Sequence, residues 1–280
     1  KKFFNTPLYY IFRKLFKLKA SPEYNRSLIH RFFIERKIRK SNELYPDSDF
    51  NLFLTYAFYN KWSDKPNILW CDWTDRISIE RMGRSPQWYE NGSLKYEDHV
   101  MKNASMVYTM FPVCKERMEN FYGREIKYLN RNVINTLYDK PFRNEENVIR
   151  RFKSSNVLFI GNHRYKGAAQ ELIVSFNELK RKYPELHLDV IGMTSNELKD
   201  ASLVEGITCH GYLNKTDPCQ RDKYYALLLN AHVLVNPARK WGGYSSTVEA
   251  MYYGCPVLIA PYADFVKEFG DKIDFGIYLD

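Results

Sequence analysis

The chain has 280 residues, 45% of them apolar, enough to build one large folded domain or two of ordinary size. Its net charge of +9 is unevenly placed, because residues 1–40 hold 12 Lys/Arg against 2 Asp/Glu and the remainder is close to neutral. Five scattered cysteines without a CxxC pair, six dispersed histidines without an HxxxH, and no apolar run of the ~18–20 residues a spanning helix needs argue against a disulfide scaffold, a structural zinc site and a transmembrane helix.

Residues 1–40 read as two basic amphipathic helices separated by Pro22. Tyr9, Phe12, Leu15 and Phe16 share a face of the first; Ile29, Phe32, Phe33 and Ile38 are apolar in the second, among Arg31, Arg36, Lys37, Arg39 and Lys40. Two readings stay open. Either the aromatic face packs on the domain and the charges are solvated, or the segment is drawn to an anionic membrane surface. No nucleic-acid motif accompanies the charge, so nucleic acid is not an expected partner. Arg13, Lys14, Lys17 and Lys19 break any signal-peptide core, which points to a cytoplasmic protein, peripheral on the inner face of the membrane if the second reading holds.

Strands are expected over 51–58, 67–70 and 126–129, with a helical stretch over 93–121 interrupted near Pro112. Asp72, Thr74 and Asp75 follow the second strand, where α/β proteins place ligands. A carboxylate there positions or deprotonates a hydroxyl, or the cluster is an ordinary turn and helix cap. Residues 131–155 are polar and irregular. They divide the chain into a first domain over 1–135, a linker over 136–155 and a second domain over 156–280.

The second domain alternates strand and helix. Strands are expected over 157–160, 188–191, 207–209, 233–235 and 255–260, and helices reach Tyr183, span 221–231, run from Ser245–Thr247 to Gly254, and lie near 262–269. This rhythm predicts a doubly wound parallel sheet with its ligand at the carboxyl ends of the strands. Gly161, Arg164 and Lys166 form one such turn, beside the positive end of the following helix; that suits a diphosphate, or else the charges are only solvated. Gly242, Gly243, Ser245, Ser246 and Thr247 form another, with backbone amides and small hydroxyls suited to sugar or phosphate oxygens. Glu249, in or near the first turn of its helix, can accept paired hydrogen bonds from a ribose diol or simply complement the helix dipole.

Four segments resemble, in order, the donor-nucleotide domain of GT-B glycosyltransferases of family 4. They are Phe159-Ile-Gly161 with Lys166-Gly167; Val190-Ile-Gly192; Gly211-Tyr212 followed by Tyr224/Tyr225 to Pro237; and Gly242-Gly-Tyr-Ser-Ser-Thr-Val-Glu-Ala-Met251 with Gly254-Cys-Pro-Val257. Asp72-Trp-Thr74, Arg81-Met-Gly83 and Tyr122-Gly123 to Val133-Ile-Asn135 resemble the acceptor-side domain more loosely. The resemblance implies two Rossmann-like domains facing a cleft, the first and the carboxyl-terminal end of the second being incomplete here. It implies retaining transfer of a sugar from a nucleotide-diphosphate donor to a glycan or lipid-linked acceptor, without a metal or cofactor. Arg164 and Lys166 would then bind the diphosphate, Glu249 the ribose, and the Gly243, Tyr244, Ser245 and Ser246 backbone the donor sugar, with Gly161 at the close turn and Asp72 on the acceptor side. The family carries a second Glu where this chain has Trp241. That departure supports an alternative, a non-catalytic nucleotide- or glycan-binding protein or partner subunit.

Overall fold

Parallel strand pairing organises each half of the chain. The computed structural model describes Lys14 and residues 27–129, 145–198, 204–239 and 244–279. It divides into two units, Lys1–Asn130 and Arg131–Asp280.

In the first unit α1 (Leu28–Leu44) leads into β1 (Asn51–Phe53), β2 (Asn67–Cys71), α2 (Asp75–Arg81), α3 (Asn91–Asn103), β3 (Met106–Thr109), α4 (Pro112–Tyr122) and β4 (Lys127–Tyr128). The strands pair in parallel in the order β1-β2-β3-β4. Two expectations need correction. The strand expected over 51–58 stops at Phe53, because the chain turns to bury Tyr56, whose hydroxyl lies 2.6 Å from the carbonyl oxygens of both Cys71 and Tyr108. The helical stretch over 93–121 is two helices with β3 between them. Met106-Val-Tyr-Thr109 is too short to show a period of its own, but Val107 and Thr109 are buried once β3 pairs with β2. Residues 1–13 and 15–26, which include the first amphipathic segment, lie outside the described residues.

The first described element of the second unit is α5 (Glu145–Lys153), inside the stretch expected to be linker. Arg151 explains this helix. It is buried, and its guanidinium donates to the Leu228, Ala231 and Tyr253 carbonyls, at the carboxyl ends of two later helices. A cation there complements both helix dipoles and satisfies carbonyls left without intrahelical partners. The chain continues through β5 (Asn156–Ile160), α6 (Lys166–Lys182), β6 (His187–Ile191), β7 (Ile207–Gly211), α7 (Pro218–Asn230), β8 (Val233–Asn236), α8 (Ser245–Tyr252), β9 (Val257–Ile259), α9 (Ala263–Phe269) and β10 (Gly276–Tyr278). Ala169, Ile173 and Phe176 of α6 pack on Phe159, Leu188 and Val190 of the sheet. β10, not expected from the sequence, pairs with β9 at the edge.

The strand order is β10-β9-β8-β5-β6-β7. The chain therefore winds outward from β5 through β6 and β7, then crosses by α7 back to the other side of β5. The reversal falls between the neighbouring strands β5 and β8, the point at which doubly wound sheets leave a crevice at the carboxyl ends of their strands. One close approach lies beside it, between the ends of β5 and β6. Gly192 has φ +101°, and a Cβ there would lie 2.4 Å from the Gly161 carbonyl oxygen; a Cβ on Gly161 would meet Phe159 and Tyr165 at 2.9 Å. The ends of β5 and β6 can lie this close only because Gly192 has no side chain.

Gly192→Ala is therefore expected to lower stability by about 1–2 kcal/mol for the left-handed backbone and by roughly 2 kcal/mol more for displacing the Gly161 carbonyl. Gly254→Ala, at φ +68° with nothing within 4 Å, carries the first penalty only. Urea unfolding followed by circular dichroism compares them; equal losses would show that the contact is unimportant.

Candidate functional site

At the carboxyl end of β5 the chain passes through a 3-10 turn, His163–Tyr165, before α6 starts at Lys166. The Asn162 side chain shapes the turn by accepting from the Arg164 amide at 3.0 Å. The Arg164 and Lys166 side chains are both exposed, at the positive end of a 17-residue helix. Gly161 closes the strand beside Gly192 and donates its amide to the Ile191 carbonyl at 2.9 Å.

At the carboxyl end of neighbouring β8, α8 begins at Ser245. The first helical bond is from the Val248 amide to the Tyr244 carbonyl at 2.9 Å. The amides of Ser245, Ser246 and Thr247 thus precede the intrahelical ladder and face outward from the helix end. Ser245 is exposed and Ser246 half-buried. The expected side-chain N-cap is not formed, since the cap position is Tyr244 and no side chain bonds there. The Tyr244 ring packs with Tyr262, Phe265 and Phe269 at centroid distances of 5.6–6.5 Å, so this residue offers a ligand only its backbone. Gly243, with Trp241 and Gly242, lies outside the described residues. The helix ends as expected at Gly254: the Gly254 amide donates to Met251 and the Cys255 amide to Ala250, a paired bond set typical of helix ends closed by a left-handed glycine.

Glu249 lies directly after the first turn of α8, as expected, and is buried. Its carboxylate is held from three sides. Lys215 Nζ donates to Oε1 at 2.9 Å and Oε2 at 2.8 Å, the Tyr224 hydroxyl donates to Oε2 at 2.6 Å, and the Tyr225 hydroxyl to Oε1 at 3.1 Å. Burial, reinforced by the Glu249 charge, pushes both phenols above their ordinary range, so both remain donors. Lys215 also stands over the Tyr224 ring, 3.9 Å from its centroid. Sequence reading gave Lys215 no role. Its signal was the Asn214-Lys-Thr-Asp-Pro218 turn after β7 together with the adjacent tyrosines, but nothing in the pattern links that turn to a helix 34 residues away.

Asp72 belongs to the first unit. It follows β2, is exposed, and its carboxylate accepts from the Trp73 amide at 2.8 Å. Thr74 caps α2 by accepting from the Ile77 amide at 3.1 Å. Glu97 of α3 accepts from the Asp75 amide at 2.6 Å and from the Tyr122 hydroxyl at 2.6 Å, which anchors the turn carrying Asp72. Among the described residues no group of His, Cys, Asp and Glu is placed to hold a metal ion, and no helix is long and apolar enough to cross a membrane.

Residues 154–272 match the family described as Glycosyl transferases group 1. No curated protein matches the chain by sequence. WaaG, a glycosyltransferase involved in lipopolysaccharide biosynthesis, superposes with a TM-score of 0.64 at 13% identity, over 93% of this chain and 71% of that one. A sucrose-phosphate synthase from Thermosynechococcus elongatus gives 0.56 at 14% identity, over 87% and 64%. HepE from Anabaena, in complex with UDP and glucose, gives 0.52 at 13% identity, over 86% and 67%. The two parallel-sheet units thus have the GT-B fold, and the chain spans 71% and 64% of the first two structures.

Glu97 offers a test of the first unit. Burial, then the nearby Asp75 charge, pushes its carboxyl from 4.5 up to about 7, against the hydrogen bonds from Tyr122 and the Asp75 and Arg76 amides. Between those two values the folded state keeps a proton that the unfolded chain has released. Stability of this unit is therefore expected to fall as pH rises through that window, and Glu97→Gln to flatten the dependence. Four of the five tryptophans lie in the first unit, so fluorescence-monitored urea unfolding reads it directly.

Proposed function

We propose, from a second unit built as a group 1 glycosyltransferase domain, that the chain moves a sugar from a nucleotide-diphosphate donor to a hydroxyl of a glycan or lipid-linked acceptor, with retention of configuration. The observation that carries this reading is the pairing of two anion-suited turns on neighbouring strands. Arg164 and Lys166 stand at the carboxyl end of β5, and the open amides of α8 at that of β8. Charge that develops on a departing diphosphate is stabilised by such fixed donors without a metal. Asp72 serves on the acceptor side, positioning the attacking hydroxyl.

UDP is the first nucleotide to test, because the Anabaena neighbour holds UDP and glucose. Lys166→Ala is expected to weaken UDP binding about tenfold, the worth of one hydrogen bond to a charged group, and to leave uridine binding unchanged. Equal losses for both would overturn the diphosphate assignment. A screen of nucleotide sugars for release of UDP or GDP tests the reaction itself. Binding without release from any donor would replace transfer by the non-catalytic alternative.

The same reading includes seating on an anionic membrane surface. α1 packs inward through Arg31, stacked 3.6 Å over the Tyr96 ring, and Glu35, paired with Lys61 at 3.0 Å. Its outward face carries Phe32 and Phe33, 61% and 53% exposed, with Arg36, Lys37, Arg39 and Lys40 beyond them. The aromatic side chains of this helix are left for an outside surface, and each basic residue near anionic lipid contributes about 1 kcal/mol. Changing these four basic residues to Gln is expected to reduce co-sedimentation with phosphatidylglycerol-containing vesicles at least about tenfold and to leave the weak binding to phosphatidylcholine vesicles unaltered. Unchanged binding to both would remove the membrane from the proposal.

A further inference from the structure

We infer that the groove between α1 and the loop carrying Trp62 seats the phosphate headgroup of a single anionic lipid, so that the first unit holds a lipid molecule and not only a charged surface. This deepens the membrane-seating part of the reading above and rests on it. The groove is a cavity of about 510 Å³, within the ~300–1,000 Å³ range of small-ligand sites. Phe32, Arg36 and Lys40 follow one another at intervals of four residues along α1 and so share a face. Arg39 lines the groove beside them, and Trp62 forms the wall that α1 does not supply.

The charges in the groove are unbalanced. Arg36, Arg39 and Lys40 are exposed, and among the described residues none of them has a carboxylate partner. Of the two acids that line the groove, Glu35 is already occupied, accepting from Lys61 Nζ at 3.0 Å and from the Tyr96 hydroxyl at 2.8 Å. Glu43 lies eleven residues beyond Phe32, ~16 Å further along the helix axis. Three cations therefore face one remaining carboxylate, and a phosphate oxygen is the acceptor that guanidinium groups bind best.

The aromatic wall is fixed before any ligand arrives. Asn42 of α1 donates to the Trp62 carbonyl at 3.3 Å, and the Trp62 amide donates to Asn60 Oδ1 at 3.2 Å. Asn60 is buried and is itself held by Asn42, Asn51 and Asn67. Lys61 stands over the Trp62 ring, 4.7 Å from its centroid. Trp62 is nevertheless 37% exposed and Phe32 61% exposed, so both walls leave apolar surface in water. A free phosphate would use the cations and leave that surface wet. A lipid headgroup uses both, because at a membrane interface aromatic rings lie at the depth of the headgroups.

The site is tested without a membrane, using dihexanoyl-phosphatidylglycerol below its micellar concentration and calorimetry on the whole chain. One lipid is expected to bind per chain, with inorganic phosphate and dihexanoyl-phosphatidylcholine at least about tenfold weaker. Arg39→Gln, inside the groove, should weaken the lipid at least about tenfold. Lys37→Gln removes the same charge from α1 outside the groove and should cost only about twofold, as a screened surface charge. The emission of Trp62, taken as the difference between wild type and Trp62→Phe, should shift to the blue as the lipid binds. Absence of binding, equal losses in Arg39→Gln and Lys37→Gln, an unmoved Trp62 emission, or phosphate binding as tight as the lipid would each overturn the headgroup site while leaving a diffuse attraction to anionic vesicles intact. If phosphatidylglycerol-containing vesicles do not bind the wild type at all, membrane seating falls and this site falls with it.

Discussion

A buried carboxylate with no water to solvate it must be paired, and in this chain that requirement ties three elements of the second unit together. Glu249 comes from α8, Tyr224 and Tyr225 from α7, and Lys215 from the turn after β7. Removing one partner of such a pair costs about 3–5 kcal/mol. The cage therefore holds α8 at a fixed depth against α7, and with it the outward-facing amides at the head of α8. Arg151 does the corresponding work at the other end of the same helices, where its guanidinium gathers the carbonyls of Leu228, Ala231 and Tyr253.

Between these two polar clamps the sheet itself sets the position of the crevice. β5 has β6 on one side and β8 on the other, and the chain reverses direction of winding at that junction. On the other side of β5, Gly192 lies against the Gly161 carbonyl, so the ends of β5 and β6 meet through backbone. Backbone donors at the head of α8 and cationic side chains at the head of α6 follow neighbouring strands of the sheet. One set is fixed by helix geometry and the other consists of exposed side chains.

Much of this arrangement was legible in the sequence. Alternation of short β-branched runs with amphipathic stretches gave the doubly wound order of the second unit, because both periods are local properties of the chain. The turns carrying Arg164, Lys166 and Ser245 were legible for the same reason, since glycines and capping residues mark strand and helix ends within a few positions. Where the reading went astray, the competing signal was tertiary. Met106–Thr109 joined a helical pattern on either side and became a strand only by pairing with β2, and Glu145–Lys153 read as linker although Arg151 is held by residues about 80–100 positions away.

By itself the sequence determined the parallel α/β class, the position of the two basic and glycine-containing turns, and the concentration of positive charge in residues 1–40. These follow from composition and short-range periodicity, which need no folded partner. Only the tertiary structure decided that Phe32 and Phe33 stay in solvent, that the Tyr244 ring belongs to the core, and that Glu249 is enclosed by Lys215, Tyr224 and Tyr225. Burial and hydrogen-bond saturation are properties of groups brought together from distant positions. A carboxylate that looks available in the sequence can be fully occupied in the fold.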